Sequence, residues 1–273
     1  MKVWAVANQK GGVGKTTTAV TLGGVMARRG ERTLLVDLDP HGSLTGYFGV
    51  DPDQTERTLY SLFAGDLDRT EGIVRDTPFE RLWFAPASTA MATLDRQLAG
   101  RDGMGLIVKR ALEQVRGRFD HVLVDCPPIM GVLMVNALAA AEHLLVPVQT
   151  EFLALKGLER MERTLAMVTR ARRNPLDYLI VPTMYDKRTR ASRESIQALR
   201  ANHASHLWPG IVPVDTRFRE ASRAGVPLSN LHPGARGVRA YQKLLDYARK
   251  RWSTDQEGAA APAAIAHRER MPT

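Results

Sequence analysis

The sequence predicts an α/β fold: a doubly wound, mostly parallel sheet with helices on both faces. Three observations carry this. Short apolar runs alternate with helical periodicity along nearly all of the 273 residues, the order that builds a parallel sheet. Several runs, such as Leu34-Leu35-Val36 and Val122-Leu123-Val124, are apolar without interruption, as expected of strands covered on both sides. The first run leads directly into a glycine-rich turn and then a helix-forming stretch, which places a ligand at the carboxyl ends of the strands.

In chain order, strands are expected at 2–7, 33–37, 81–85, 121–125, 143–148, 178–183 and 210–213. Helices are expected near 16–29, 58–64, 104–116, 131–141, 154–173, 191–201, 217–224 and 236–251. Val3-Trp4-Ala5-Val6-Ala7 makes the first strand, and the stretch after Gly14 makes the first helix. The segment Ile129–Ala141 is apolar but interrupted by Asn136, so it reads as a buried helix. The last helix carries Tyr241, Leu244, Leu245 and Ala248 on one face, the spacing of a helix packed on its own domain. No internal repeat is visible. From Ser253 the chain turns to Ala, Pro, Glu and Gln with little periodicity. We therefore expect one domain over 1–252 and a disordered tail over 253–273.

Composition excludes several classes. At 44% hydrophobic residues the chain can bury a large single core. No stretch reaches the roughly 20 apolar residues that cross a bilayer, and no basic-apolar-small leader precedes the first strand. The lone cysteine, Cys126, rules out a disulfide framework within the chain, fits a reducing cytoplasm, and reads as a small residue filling a strand end. The net charge of +9 is uneven: residues 156–252 hold 20 Lys and Arg against 8 Asp and Glu, whereas residues 1–155 hold 16 against 18. Arg dominates the basic half, which suits bidentate contact with an anionic polymer such as the DNA backbone.

Residues 10–17 read Lys-Gly-Gly-Val-Gly-Lys-Thr-Thr. Gly11, Gly12 and Gly14 leave room for backbone N–H groups to close around phosphate oxygens, with Val13 between them and a helix dipole behind. Lys15 supplies charge to the β and γ phosphates, the Thr16 hydroxyl ligates Mg²⁺, and Thr17 completes the loop. The usual leading glycine is Gln9, and an additional lysine, Lys10, stands at the entrance. This deviant P-loop resembles that of the ParA/Soj/MinD family of ATPases. The resemblance implies ATP and Mg²⁺ as cofactors and an ATP-bound homodimer. In that homodimer Lys10 reaches the partner's nucleotide as an arginine finger does elsewhere.

The resemblance continues from about residue 2 to 251. Leu34-Leu35-Val36-Asp37-Leu38-Asp39-Pro40 ends the second strand with two carboxylates facing one way. In the family the first, Asp37, lies in the outer Mg²⁺ shell and the second, Asp39, orients the attacking water. The family pattern Pro-Gln-Gly-Asn is here Pro40-His41-Gly42-Ser43, a departure in the first switch loop. Val122-Leu123-Val124-Asp125 followed by Cys126-Pro127-Pro128 matches the second acidic strand end and switch, making Asp125 a magnesium residue. Val181-Pro182-Thr183-Met184-Tyr185-Asp186 and Val212-Pro213-Val214-Asp215 match the two loops that embrace adenine, which nominates Thr183, Met184, Pro213 and Asp215, chiefly through their backbones.

DNA-binding members carry arginines at positions matching Arg188 and Arg217 or Arg219, and Arg223 lies one helical turn beyond Arg219. The implied partners are nonspecific double-stranded DNA and a ParB-like or other adaptor protein that stimulates hydrolysis, in a cytoplasmic, nucleoid-associated or polar setting. With little aromatic interleaving, base stacking on single strands is not expected. A MinD-like membrane helix would need an apolar face after Trp252 that the tail lacks, so no membrane insertion is expected. His203 and His206 form an i,i+3 pair without sequence-adjacent carboxylates and read as surface residues. An electron-transfer ATPase of this fold would need two cysteines per subunit, and a ligase or amidase would need a substrate pocket or an appended glutaminase domain. The reading is an ATP-dependent switch that positions or segregates cargo. That cargo is chromosome or plasmid DNA or, from the texture around Pro40-His41-Gly42-Ser43 and Gln149–Leu158, a polar chemoreceptor array.

Overall fold

The computed structural model describes residues 1–65, 70–98, 103–170, 172 and 175–259. The strands are β1 (Lys2–Val6), β2 (Thr33–Asp37), β3 (Arg75–Asp76), β4 (Leu82–Ala85), β5 (His121–Asp125), β6 (His143–Gln149) and β7 (Asp177–Thr183). The α-helices are α1 (Lys15–Arg28), α2 (Ser43–Tyr47), α3 (Tyr60–Phe63), α4 (Thr70–Ile73), α5 (Leu94–Gln97), α6 (Ile107–Gln114), α7 (Val132–Ala140), α8 (Phe152–Arg170), α9 (Arg190–Asn202), α10 (Arg217–Ala224), α11 (Leu228–Leu231) and α12 (Arg236–Ala259). They build a seven-stranded sheet of order β3-β4-β2-β5-β1-β6-β7. All neighbouring pairs are parallel except β3 with β4. The doubly wound α/β expectation holds.

Alternation along the strands sorts the core into two layers. Val3, Ala5, Val36 and Val124 pack on one face with residues of α6, α7 and α8. Trp4, Val6, Leu35 and Leu123 pack on the other with α1 and α12. Gly24 lets α1 lie close to α11, because a Cβ there would fall 2.3 Å from the Ser229 hydroxyl. Tyr241, Leu244, Leu245, Ala248 and Trp252 of α12 are all buried, as their spacing predicts. Each buried Leu contributes about 1.5–3 kcal/mol.

Three expectations need correction. The segment 210–213 is no strand. The Trp208 N–H donates to the Ile180 carbonyl, the Ile180 N–H donates to the His206 carbonyl and the Val212 N–H donates to the Pro182 carbonyl, but Pro209 and Pro213 lack the N–H a ladder needs, so only isolated bridges form. The two-residue β3 is antiparallel and too short to leave a period in the sequence. Helix α12 runs to Ala259, beyond the expected end near 251. The rest of the expected tail, 260–273, lies outside the described residues.

Candidate nucleotide site

The carboxyl ends of β1, β2 and β5 meet at the start of α1. Gly14 caps that helix in the left-handed region at φ 92° with no side-chain cap, a conformation only glycine takes without strain. The first N–H groups of any helix lack intrahelical acceptors, and at Gly11 and Gly12 the space a side chain would fill is open. Lys15 is buried, with Nζ 3.4 Å from the Lys10 carbonyl. The loop, its lysine and the helix end thus form an anion cradle.

Beside it lies a carboxylate pair. Asp37 and Asp125 face each other in register on β2 and β5, and both are buried. Asp37 accepts the Thr45 N–H (2.8 Å), the Thr45 hydroxyl (2.7 Å) and the Asp39 N–H (3.2 Å). The Thr16 hydroxyl donates to Asp125 Oδ2 at 2.6 Å, while Asp125 Oδ1 is buried without a hydrogen-bond partner. Burial pushes Asp37 up to about 7. Burial, followed by the charge of Asp37, raises Asp125 well above the carboxylate range. Two desolvated carboxylates, one with an orphaned oxygen, are short of positive charge. A hard cation with oxygen ligands fits this donor set, and Thr16, Asp37 and Asp125 are the residues that could hold it.

Asp39 is positioned differently. Its Oδ1 accepts the His41 N–H (3.1 Å) and lies 2.9 Å from His41 Nδ1, so the residue that departs from the family pattern is the one touching it. Lys10 is ion-paired with Glu151 at the head of α8. Asn8 fixes the turn beneath Lys10, accepting the Lys10 N–H (3.1 Å) and donating to the Pro147 carbonyl (2.7 Å). Gly157 lets α8 approach, since a Cβ there would sit 3.2 Å from Lys10 Cβ.

On the other side of Gly14, a cleft of about 820 Å³ opens between the loops carrying Met184 and Pro213, with Tyr241 and α10 as its far wall. The Thr183 hydroxyl donates to the Val13 carbonyl at 2.9 Å, which ties one loop to the cradle. Met184 holds a left-handed φ of 53°, and its Cε lies 3.8 Å from where a Gly14 Cβ would stand. The Asp215 carboxylate is engaged by Arg217 (2.9 Å) and by the Gly237 N–H (3.2 Å). Asp215 therefore offers the cleft its backbone. The Tyr241 hydroxyl lies 2.8 Å from that of Thr18, which in turn donates to the Gly14 carbonyl at 2.7 Å. Helix α12 is thereby bonded to the cradle.

The four candidate DNA arginines separate into two groups. Arg188 and Arg217 share a groove with Lys187 and Arg236, and each is paired with a carboxylate two residues back, Asp186 at 2.7 Å and Asp215 at 2.9 Å. The side-chain bond from Arg188 draws Asp186 down to about 2. Arg219 and Arg223 line the nucleotide cleft instead. His203 and His206 also differ from expectation. Distant segments bring them carboxylates, Glu162 at 2.9 Å and Asp177 at 3.8 Å. Cys126 is buried, as a strand-end filler should be. Sequence reasoning missed Asn8, Thr45 and Tyr241 as supports of the site. Thr45, eight residues after Asp37 at the start of a helix, left a local signal, whereas Asn8 and Tyr241 act across 139 and 223 residues.

A family model described as an AAA domain matches residues 1–178. The chain is 35% identical over 244 residues to the sporulation initiation inhibitor protein Soj of Bacillus subtilis, covering 89% of this chain and 96% of that protein. It is 37% identical over 248 residues to the chromosome partitioning protein ParA of Caulobacter vibrioides, covering 89% and 92%. The chain belongs to the ParA/Soj family of P-loop ATPases. Among solved structures, a Mycobacterium smegmatis protein named cobyrinic acid a,c-diamide synthase, with bound ADP and magnesium, superposes with a TM-score of 0.81. It shares 33% identity and covers 93% of this chain and 96% of that one. McdA of Cyanothece, at 22% identity and a TM-score of 0.80 over 90% of this chain and 99% of that one, shares the fold. In this ParA/Soj chain the deviant loop, the paired carboxylates and the entrance lysine occupy one crevice at the strand ends. No helix among the described residues is long and apolar enough to cross a membrane.

Proposed function

We propose that this ParA/Soj-family chain is an ATP-dependent dimerising switch that binds DNA nonspecifically and positions or segregates cargo. The observation that carries the reading is Lys10. It stands at the mouth of the cradle, partly exposed, and is held by Glu151 rather than by its own loop. Exposed apolar side chains follow Glu151 and the end of β5: Phe152 is 68% exposed, Leu153 64% and Ile129 67%. Large exposed apolar groups mark an interaction surface, and a second copy brings a second Lys10.

In this reading the cradle and Lys15 bind the triphosphate. Magnesium, when held by Thr16, Asp37 and Asp125, neutralises charge on it. Asp39 orients the attacking water, a matter of positioning rather than strong basicity. Lys10 crosses to the partner's phosphates. Arg188 and Arg217, with Lys187 and Arg236, contact DNA phosphates, so the contact is independent of sequence and weakened by salt. The names of the curated relatives favour DNA as cargo, with a chemoreceptor array as the competing cargo. A ParB-like or other adaptor triggers hydrolysis.

ATPase activity and DNA co-sedimentation of wild type, Lys15→Ala, Lys10→Ala and Asp39→Ala test the proposal. Lys10→Ala should bind ATP without productive dimerisation, and Asp39→Ala should dimerise and stay locked. Normal turnover by Asp39→Ala would remove the water-positioning role. The name of the M. smegmatis structure favours a second reading, a ligase-type ATPase, which predicts that ATP turnover rises with a carboxylic acid substrate.

A further inference from the structure

We propose that Arg219 and Arg223 bind the base of the nucleotide, forming a guanidinium wall over its ring. The inference rests on the nucleotide reading above. The two residues lie four apart on α10, so their side chains share one helical face. That face closes the cleft that begins at Gly14 and Thr17. The cleft is continuous with the phosphate cradle, because Met184 touches the space beside Gly14 and Tyr241 is bonded to Thr18. A nucleotide whose phosphates lie in the cradle has its base in this cleft.

The chemistry of that wall is selective. Arg217, at the start of the same helix, is committed to Asp215 and lines the neighbouring groove. Arg219 and Arg223 have no ion-pair partner among the described residues. The one carboxylate of the cleft, Asp215, is already satisfied by Arg217 and the Gly237 N–H. A guanidinium donates hydrogen bonds, accepts none, and stacks on planar π systems. A purine base offers a flat π face and ring-nitrogen acceptors, which match those capacities. The planar base matches the cleft better than duplex DNA does, since a phosphate backbone runs along an open surface and these exposed arginines line a cleft that begins at Gly14 and Thr17.

The test uses the full chain and two probes, ATP and inorganic tripolyphosphate, each with magnesium, with binding read by calorimetry. Arg219→Ala/Arg223→Ala should weaken ATP about tenfold, the scale of two exposed cation–π contacts, and leave tripolyphosphate unchanged. Arg219→Lys/Arg223→Lys keeps the charge, loses the planar fork, and should recover less than half of the loss. Unchanged ATP affinity in the double alanine variant overturns the proposal. So does equal weakening of both probes, or full recovery by lysine, since either would reduce the effect to net charge. Unchanged ATP affinity with weakened DNA co-sedimentation would return both arginines to the DNA face. If wild type bound neither probe, or if Lys15→Ala had no effect on tripolyphosphate, the nucleotide reading itself would fail.

Discussion

Removing the charge of Glu151 should make this chain dimerise more readily. In the isolated subunit Lys10 is bound by Glu151, and it cannot serve a partner until that pair opens. The side chains are 26% and 39% exposed, so the pair resembles a surface salt bridge with a net value of about 0.5–1 kcal/mol. A symmetric dimer opens two of them, which opposes association by about 1–2 kcal/mol, or roughly 5- to 30-fold in the dimer dissociation constant. Glu151→Gln keeps the shape and removes the charge. Sedimentation equilibrium with ATP and magnesium, in an Asp39→Ala background to block turnover, should show tighter dimerisation by that factor. The gap from the parent should narrow as salt is raised. Equal or weaker dimerisation by Glu151→Gln would refute the reasoning, because the carboxylate would then serve the dimer rather than restrain the monomer.

Other perturbations follow from the same geometry. In the metal-free chain Asp37 titrates at about 7 against about 4 when unfolded, and Asp125 is shifted the same way. The fold therefore holds extra protons between those values, and the stability these two groups contribute is fullest below about 4 and falls as pH rises toward 7. The loss is about 1.4 kcal/mol per pH unit for each proton. Melting in chelator from pH 5 to 7 should show this slope, Asp37→Asn should flatten it, and a slope that survives the substitution would locate it elsewhere. Tyr241→Phe removes the bond from α12 to Thr18 and should cost about 1 kcal/mol, or 2–4 °C in Tm; an unchanged Tm by calorimetry would mean the bond is replaced. Gly14→Ala forces a side chain into the left-handed region at φ 92°. It should destabilise the fold by about 1–2 kcal/mol and abolish ATP binding, and retained binding would show that the cradle tolerates a different backbone.

What was legible in the sequence, and what was not, follows the distance over which each interaction acts. The cradle is contiguous, so the placement of Gly12, Gly14, Lys15 and Thr16 between strand and helix was legible from spacing alone. Asp37 and Asp125 were legible because each ends an apolar run, and parallel register then brings the two ends together. The strand at 210–213 failed because a run of Ile and Val says nothing about a neighbouring proline's missing donor. The restraint on Lys10 was hidden for a different reason. Glu151 sits 141 residues away, and only the β6-to-α8 turn delivers it. The arginines near α10 were equally opaque. Arg217, Arg219 and Arg223 form one basic stretch in sequence, yet a 100° turn per residue sends the first to a groove and the others to a cleft.

The free subunit carries three unfavourable features at one end of its sheet. It has desolvated carboxylates with an orphaned oxygen, a row of helix-start amides facing open space, and a rim of exposed Phe152, Leu153 and Ile129. None improves the stability of a monomer, and substitutions at each would relieve it. In the proposed dimer each would be relieved by a different component: the carboxylates by a cation, the amides by phosphates, the apolar rim by a second subunit. Components that satisfy complementary deficits in the same crevice bind the assembled state better than the separate chain, and only such differential affinity can shift a population between the two. In that proposed dimer, loss of the γ phosphate would withdraw the group that joins the cradle to the second subunit's lysine, and hydrolysis would return the deficits to the monomer.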